Sequence, residues 1–462
     1  MKLIYGVKDK PKFGQTLVFA FQQLLAILAA TIAVPTIVGN GMSSSAALFG
    51  AGVGTLVYLL FTKFRSPVFV GSSFAFIGPM LSAFAGAASA SLGYVGLILG
   101  AVFAGLVYVV LAIIVKLAGV NWINKLMPAV VIGPTVSIIG LSLAGNAVGD
   151  LQKGNVTHMV DGAAVQSASV YLCILCGLVT LATVIICSVF GKKMARMIPF
   201  IIGIVAGYGL AALFTVIGNL TDTAALQIIN FSAFKNMQWY PDFTFIEALK
   251  GVKEINGAYV ASIAVAYVPV ALVVFAEHIA DHKNLSSIIE QDLLENPGLS
   301  RTLLGDGVGS MAGAFFGGCP NTTYGESVGC VAISGNASVV TILTTAIMAI
   351  VVSFFAPFVT FLSTIPSCVM GGVCIALYGF IAVSGLKMLQ PVDLNDNRNL
   401  FVASTILITG IGGLSLTFGK VTITTIACAL ILGILVNLLT NSKRENEPCE
   451  DLVEEEPKCS KK

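Results

Sequence analysis

Four acidic residues stand where acids are rare. Glu277, Asp281, Asp306 and Glu326 lie in or beside long apolar stretches, whereas most other acidic residues occupy polar segments. If those stretches cross a bilayer, a charge there costs several kcal/mol, so each group must face a cavity, a partner or a proton. Such groups can carry protons or accept N–H hydrogen bonds from a ligand. Glu277 and Asp281 are spaced i, i+4 and share one helix face, where like charges repel. Glu326 follows Gly325 in a segment broken by proline and glycine, beside a helix start whose dipole suits a negative charge. Two carboxylates held differently can divide the roles of ligand acceptor and proton site. For Glu277 and Glu326 the other reading is a buried ion pair, but few basic residues lie in the apolar stretches. Asp281 reads as a proton site or as a polar edge position, and Asp306, among glycines, as a proton site or a brace. His278 and His282 flank this face. One is expected to face lipid or packing and the other a helix end.

The elements that position these groups follow from composition. The 462 residues are 56% hydrophobic and 10% charged, with a mean hydropathy of +0.92. No soluble domain of this size has that balance. Continuous rather than alternating apolar runs exclude a β-barrel and predict an all-α polytopic membrane protein. Fourteen candidate spans run at about 16–38, 45–62, 68–85, 92–117, 128–147, 168–190, 197–217, 256–279, 301–317, 320–335, 337–362, 367–389, 399–415 and 420–440. Of the 25 basic residues, all but Lys153, Lys235, Lys250, Lys253 and Lys420 fall on the side of the N-terminus. This asymmetry places both termini in the cytoplasm. The net charge of +2 gives no reason to expect a nucleic-acid partner. Cys173 and Cys176 form a CxxC inside an apolar run and read as helix packing rather than a metal site. The start is polar and basic, and the first apolar run is long enough to span, so no cleaved signal peptide is expected.

Two features suggest a duplicated architecture. The stretch 127–145, MPAVVIGPTVSIIGLSLAG, resembles 365–385, IPSCVMGGVCIALYGFIAVSG, with Pro128, Val131 and Gly133 on Pro366, Val369 and Gly371. GVGT at 52–55 likewise resembles GVGS at 307–310. Both pairs lie seven spans apart, an odd number, so the halves would be inverted in the membrane, as in many secondary transporters. The broken segments RSPVFVGSSFAFIGPM (65–80) and GGCPNTTYGESVG (317–329) fall in corresponding spans, 3 and 10. Paired interruptions of this kind mark a midplane binding site, where freed backbone N–H groups suit a carbonyl oxygen or an anion. The other reading is two re-entrant loops that only pack.

The stretches FAEHIADH, DLLENPGLSRTLLGDGVGSMAGAFFGGCPNTTYGESVG and IPSCVMGGVCIALYGFIAVSG resemble the nucleobase–ascorbate transporter family, in particular its bacterial uracil permease branch. The resemblance extends from FAFQQLLAILAATIAVP in span 1 to span 14. It implies two inverted seven-helix repeats forming a dimer. A core domain would comprise 16–117 and 256–362, and a gate domain 128–217 and 367–440. Residues 1–15 and 441–462 would be cytoplasmic tails, the second disordered. The resemblance further implies a short strand and half-helix in spans 3 and 10, with Glu277 and Glu326 binding the N–H groups of a base. Backbone N–H groups near Phe74, Tyr324 and Gly325 would meet its carbonyls, and Tyr378 would lie over the site. Asp281 stands where the uracil branch carries a histidine, four residues after the glutamate. The purine-transporting branch often has aspartate there, but usually glutamine where this chain has Glu326. Gln23 also stands where a histidine can occur.

The resulting expectation is a proton-coupled importer of uracil in the cell membrane. Glu277, Asp281 and Asp306 are its candidates for proton coupling. It is expected to need no cofactor or metal and not to be an enzyme, since no HExxH pattern is present. A xanthine or urate symporter is the near alternative. An anion exchanger on the same seven-plus-seven plan is more remote, because a carboxylate in the pocket repels anions.

Overall fold

Apolar runs of this length bury their own backbone hydrogen bonds, so the chain folds as helices. In the computed structural model, the described residues are 3–119, 128–160, 163–192, 195, 198–235, 237, 239–418, 421–423 and 425–441. The expected C-terminal tail lies outside them beyond 441, as do Lys125, Lys193, Arg196 and Lys420 of the charge asymmetry.

The first half begins with α1 (Phe13–Val38) and α2 (Ser44–Phe61). The strand β1 (Val70–Ser72) and a 3-10 turn at Phe74–Phe76 follow, then α3 (Ile77–Ala85) and α4 (Ala90–Ala118). After these come α5 (Ala129–Ser142), α6 (Ala144–Asp150), the hairpin β2 (Thr157–Val160) and β3 (Ala163–Gln166), α7 (Val170–Phe190) and α8 (Pro199–Leu220). A short α9 (Thr244–Gly251) precedes α10 (Gly257–Ile289), α11 (Leu299–Gly317), β4 (Asn321–Thr323) and α12 (Gly325–Ser334). The chain continues through α13 (Val339–Val352), α14 (Ala356–Thr364), α15 (Ser367–Met388) and α16 (Asn397–Ile411). It closes with the hairpin β5 (Leu416–Phe418) and β6 (Val421–Ile423), and with α17 (Thr425–Asn441).

Among the described residues, eight helices are long and apolar enough to cross a membrane, or nine if α13 and α14 form one span. The remaining expected spans are shorter or interrupted. α13 and α14 are bent by 82° where a single helix over 337–362 was expected. Pro357, in the first turn of α14, cannot continue the helix from α13. α10 runs to Ile289, ten residues past its expected end at 279, so Asp281 and His282 lie inside the helix. The expected tail 1–15 is also structured in part, since α1 starts at Phe13 and residues 4–7 make backbone hydrogen bonds with 335–339.

The matched sequence motifs meet in space. β1 pairs antiparallel with β4, in the register Val70↔Thr323, Gly71↔Thr322 and Ser72↔Asn321. The pairing is extended by Ser73 N–H to Pro320 O (3.0 Å) and Tyr324 N–H to Phe69 O (3.2 Å). Each broken segment thus satisfies the backbone groups of the other. α2 crosses α11 at equivalent glycines of the two motifs. A Cβ on Gly54 would lie 2.8 Å from Gly309 O, and a Cβ on Gly309 2.8 Å from Gly54 O. Pro128 and Pro366 cap α5 and α15, which pack together. Three elements therefore lie against their own counterparts, as an inverted duplication requires.

Gly54→Ala is expected to destabilise the fold by about 1–3 kcal/mol through overpacking. Gly78→Ala, where nothing lies within 4 Å of the added carbon, should change little. Unfolding temperatures of the two purified variants in detergent check this.

Candidate substrate-binding site

The β1–β4 crossing directs two helix starts inward. Beyond β4, α12 opens at Gly325 with Glu326 as its second residue. Ser327 fixes this half-helix, because its Oγ accepts hydrogen bonds from Gln23 Nε2 (2.6 Å) on α1 and from the Phe69 N–H (3.1 Å). Gln23 is buried in this role.

Glu277, Asp281, Gly325 and Glu326 line one cavity of ≈ 450 Å³. One wall comes from Ala26 of α1 and from α10 and α12. The other comes from Val136 of α5, Ser188 of α7, Phe200 of α8, and Leu377, Phe380 and Ile381 of α15. Thr323 Oγ1 donates to Asp281 Oδ2 at 2.8 Å. Among the described residues no lysine or arginine pairs with these three acids, so they do not form the ion pair that the sequence left open. Three carboxylates around one apolar-walled cavity repel one another, and a bound proton or a ligand N–H relieves that repulsion.

The other expected site residues are placed differently. The Tyr324 N–H is taken up by Phe69 O, and its hydroxyl donates to Ser72 O (3.0 Å), so this residue braces the strand crossing. Phe74 and Tyr378 meet edge to face, with centroids 5.9 Å apart at 81°. Phe74 lines a second cavity of ≈ 360 Å³ with Ser142, Asn146 and Thr425. Asp306 does not line the acidic cavity. Its Oδ2 lies 2.8 Å from His278 Nδ1.

One histidine was expected at lipid or in packing and the other at a helix end; both are packed inside. Both are fully buried, with ring centroids 4.0 Å apart. Thr302 Oγ1 donates to Leu299 O, so it accepts from His278 Nε2–H at 3.0 Å. His282 Nδ1–H donates to His278 O (2.8 Å), which leaves Nε2 facing the Tyr58 hydroxyl at 2.7 Å. Tyr58 also bonds Ser66 (2.7 Å). α10 thus turns its acids to the cavity and its imidazoles to α2 and α11. The adjacent i, i+4 pairs Glu277/Asp281 and His278/His282 were the only sequence signal of this division.

Comparison with known proteins agrees with this architecture. Residues 14–419 match the model of the Permease family. The chain belongs to that family. The permease is 40% identical over 458 residues to a uracil permease of Bacillus caldolyticus, covering 98% of both chains. It is 37% identical to a uracil permease of Bacillus subtilis strain 168, over 96% of this chain and 97% of that one. It is 33% identical to a uracil permease of Escherichia coli K12, over 94% and 93%. Its fold is similar to the transmembrane domain of the cyanobacterial bicarbonate transporter BicA, with a TM-score of 0.58 and 18% identity over 95% and 99% of the two chains. It is also similar to murine Slc26a9 in the inward-facing state, with a TM-score of 0.65 and 11% identity over 95% and 69%. The permease is therefore a multi-pass membrane protein of the uracil permease kind.

His278→Ala would leave the Asp306 carboxyl buried without its partner. Leaving a buried polar group without its hydrogen-bond partner costs about 1–3 kcal/mol, so the unfolding temperature in detergent should fall. Glu326→Gln, on the cavity wall, should leave that temperature almost unchanged.

Proposed function

We propose that this permease imports uracil across the cell membrane together with a proton. The observation that carries the reading is the acidic cavity, in which Glu277, Asp281 and Glu326 converge on the start of a half-helix. Uracil alternates N–H donors with carbonyl acceptors along its edge. Carboxylates complement the donors, and the backbone N–H at Gly325 complements a carbonyl. A volume of ≈ 450 Å³ suits a small ligand, since such sites span about 300–1,000 Å³. The names of the relatives point to the same substrate. The carboxylates speak against an anion in the same place.

The two walls correspond to the expected domains. α1, α10 and α12 belong to the core domain, 16–117 and 256–362. α5, α7, α8 and α15 belong to the gate domain, 128–217 and 367–440. In this reading the chain crosses the membrane fourteen times with both termini cytoplasmic, and works as a homodimer. Ser188, Pro199 and Met388 of the cavity lining lie close in sequence to Lys192 and Lys387, which puts the cavity on the cytoplasmic side in this reading. The Phe74–Tyr378 contact closes the outer side. Core movement against the gate exposes the site alternately, and protonation at Glu277 or Asp281 changes affinity for the base, which is what coupling requires. Asp306, hydrogen-bonded to His278, supports α10 from behind.

The test is uptake of labelled uracil into proteoliposomes under an inward proton gradient. The expected result is uphill uptake that collapses with the gradient. Glu326→Gln and Glu277→Gln should raise the half-saturation concentration roughly 10- to 100-fold, the loss of a charged hydrogen bond. Strong xanthine uptake with no uracil uptake would overturn the assignment and mark Asp281 as the better guide to substrate.

A further inference from the structure

The half-helix α12 is held at both ends by the N-terminal region. At its start, Gln23 of α1 bonds Ser327. At its end stands Gly335, whose φ of +66° closes the helix in a conformation that favours glycine. The Gly335 carbonyl accepts two N–H groups, from Ile4 (2.7 Å) and Tyr5 (3.2 Å). Tyr5 O then accepts Ala337 N–H (2.9 Å), Val7 O accepts Val339 N–H (3.1 Å), and Ser338 Oγ donates to Asp9 O (2.6 Å). Residues 3–9 thus lie parallel to the link between α12 and α13. They are fastened to α1 by the Tyr5 hydroxyl, which donates to Gln15 Oε1 (2.9 Å), and by the Tyr5 ring, edge-on to Phe19.

We propose that residues 3–9 are a strap that positions α12, and through it Glu326, for substrate binding. α12 has ten residues, too few to be stable without tertiary support, and it presents Gly325, Glu326 and Gly329 to the cavity. A binding group displaced by about 1 Å is no longer preorganised, so a loose end of α12 weakens the site at its other end. The strap is fastened mainly by hydrogen bonds rather than by buried apolar side chains. Val7 is buried, but Ile4 is 65% exposed. Segments with few buried apolar contacts open at low free energy, so the strap is a part that can be loosened without unfolding the bundle.

This inference rests on Glu326 being a ligand-binding group, and the test separates the two claims. Ile4→Pro removes the N–H that meets Gly335, while Ile4→Ala keeps it. Deletion of residues 3–9 removes the strap altogether. Hydrogen exchange of the 325–334 amides is measured on the full-length or deleted permease in detergent, and uracil uptake on the same preparations in vesicles. In Ile4→Pro and in the deletion, exchange of those amides should be about 10-fold faster. The half-saturation concentration for uracil should rise about 3-fold or more, with Ile4→Ala unchanged. Equal exchange in all variants would overturn the strap, whatever the transport result. Faster exchange with an unchanged half-saturation concentration would overturn its positioning role. If the unaltered protein takes up no uracil, the functional reading fails while exchange still decides whether the strap holds α12.

Discussion

A backbone N–H or C=O left unpaired away from water costs several kcal/mol in an apolar interior. That constraint governs the centre of this permease. A binding site needs free backbone donors and irregular geometry, and a membrane interior forbids both unless something satisfies the rest of the backbone. Here two broken segments meet each other. Val70–Ser72 and Asn321–Thr323 pair as a two-stranded sheet, so each chain break is closed by the other. In the proposed reading, it is the start of the helix beyond β4 that meets the ligand.

The second consequence concerns α10. A helix that carries two acids and two imidazoles through an apolar bundle must find a use or a partner for every polar atom. The four side chains occupy adjacent stripes. Glu277 and Asp281 reach the cavity, with Asp281 steadied by Thr323. His278 and His282 spend their ring nitrogens on Asp306, Thr302, Tyr58 and a backbone carbonyl. The rotation of α10 is thereby fixed from behind, and the acids face the cavity because the imidazoles cannot face anywhere else. Close approach of α2 and α11 at Gly54 and Gly309 brings Asp306 and Tyr58 near enough to do this.

How much of this was legible in the sequence depended on the range of the interaction. Local signals were read correctly where they act locally: Pro128 and Pro366 stand at helix starts, and the paired motifs lie in elements that pack against each other. Pro357 carried a local signal of the bend after α13 that hydropathy alone passed over. The partners of His278 and His282 were not legible, because Tyr58 lies more than two hundred residues away and nothing in its surroundings marks it. The same holds for residues 3–9. The stretch 1–15 that contains them reads as a basic tail, and only the fold shows that their backbone completes the link at 335–339. Tyr324 sits within the signature stretch, yet its N–H and hydroxyl both serve the strand crossing.

The central claim is that the acidic cavity moves a base and a proton together. The most direct test is to load proteoliposomes with a pH-sensitive dye at equal pH inside and out, and to add uracil outside with no imposed gradient. Coupled import predicts acidification of the lumen that begins with uracil addition, scales with the uracil taken up and is absent in Glu277→Gln. Uracil uptake at a normal rate without any change in lumenal pH would contradict the account.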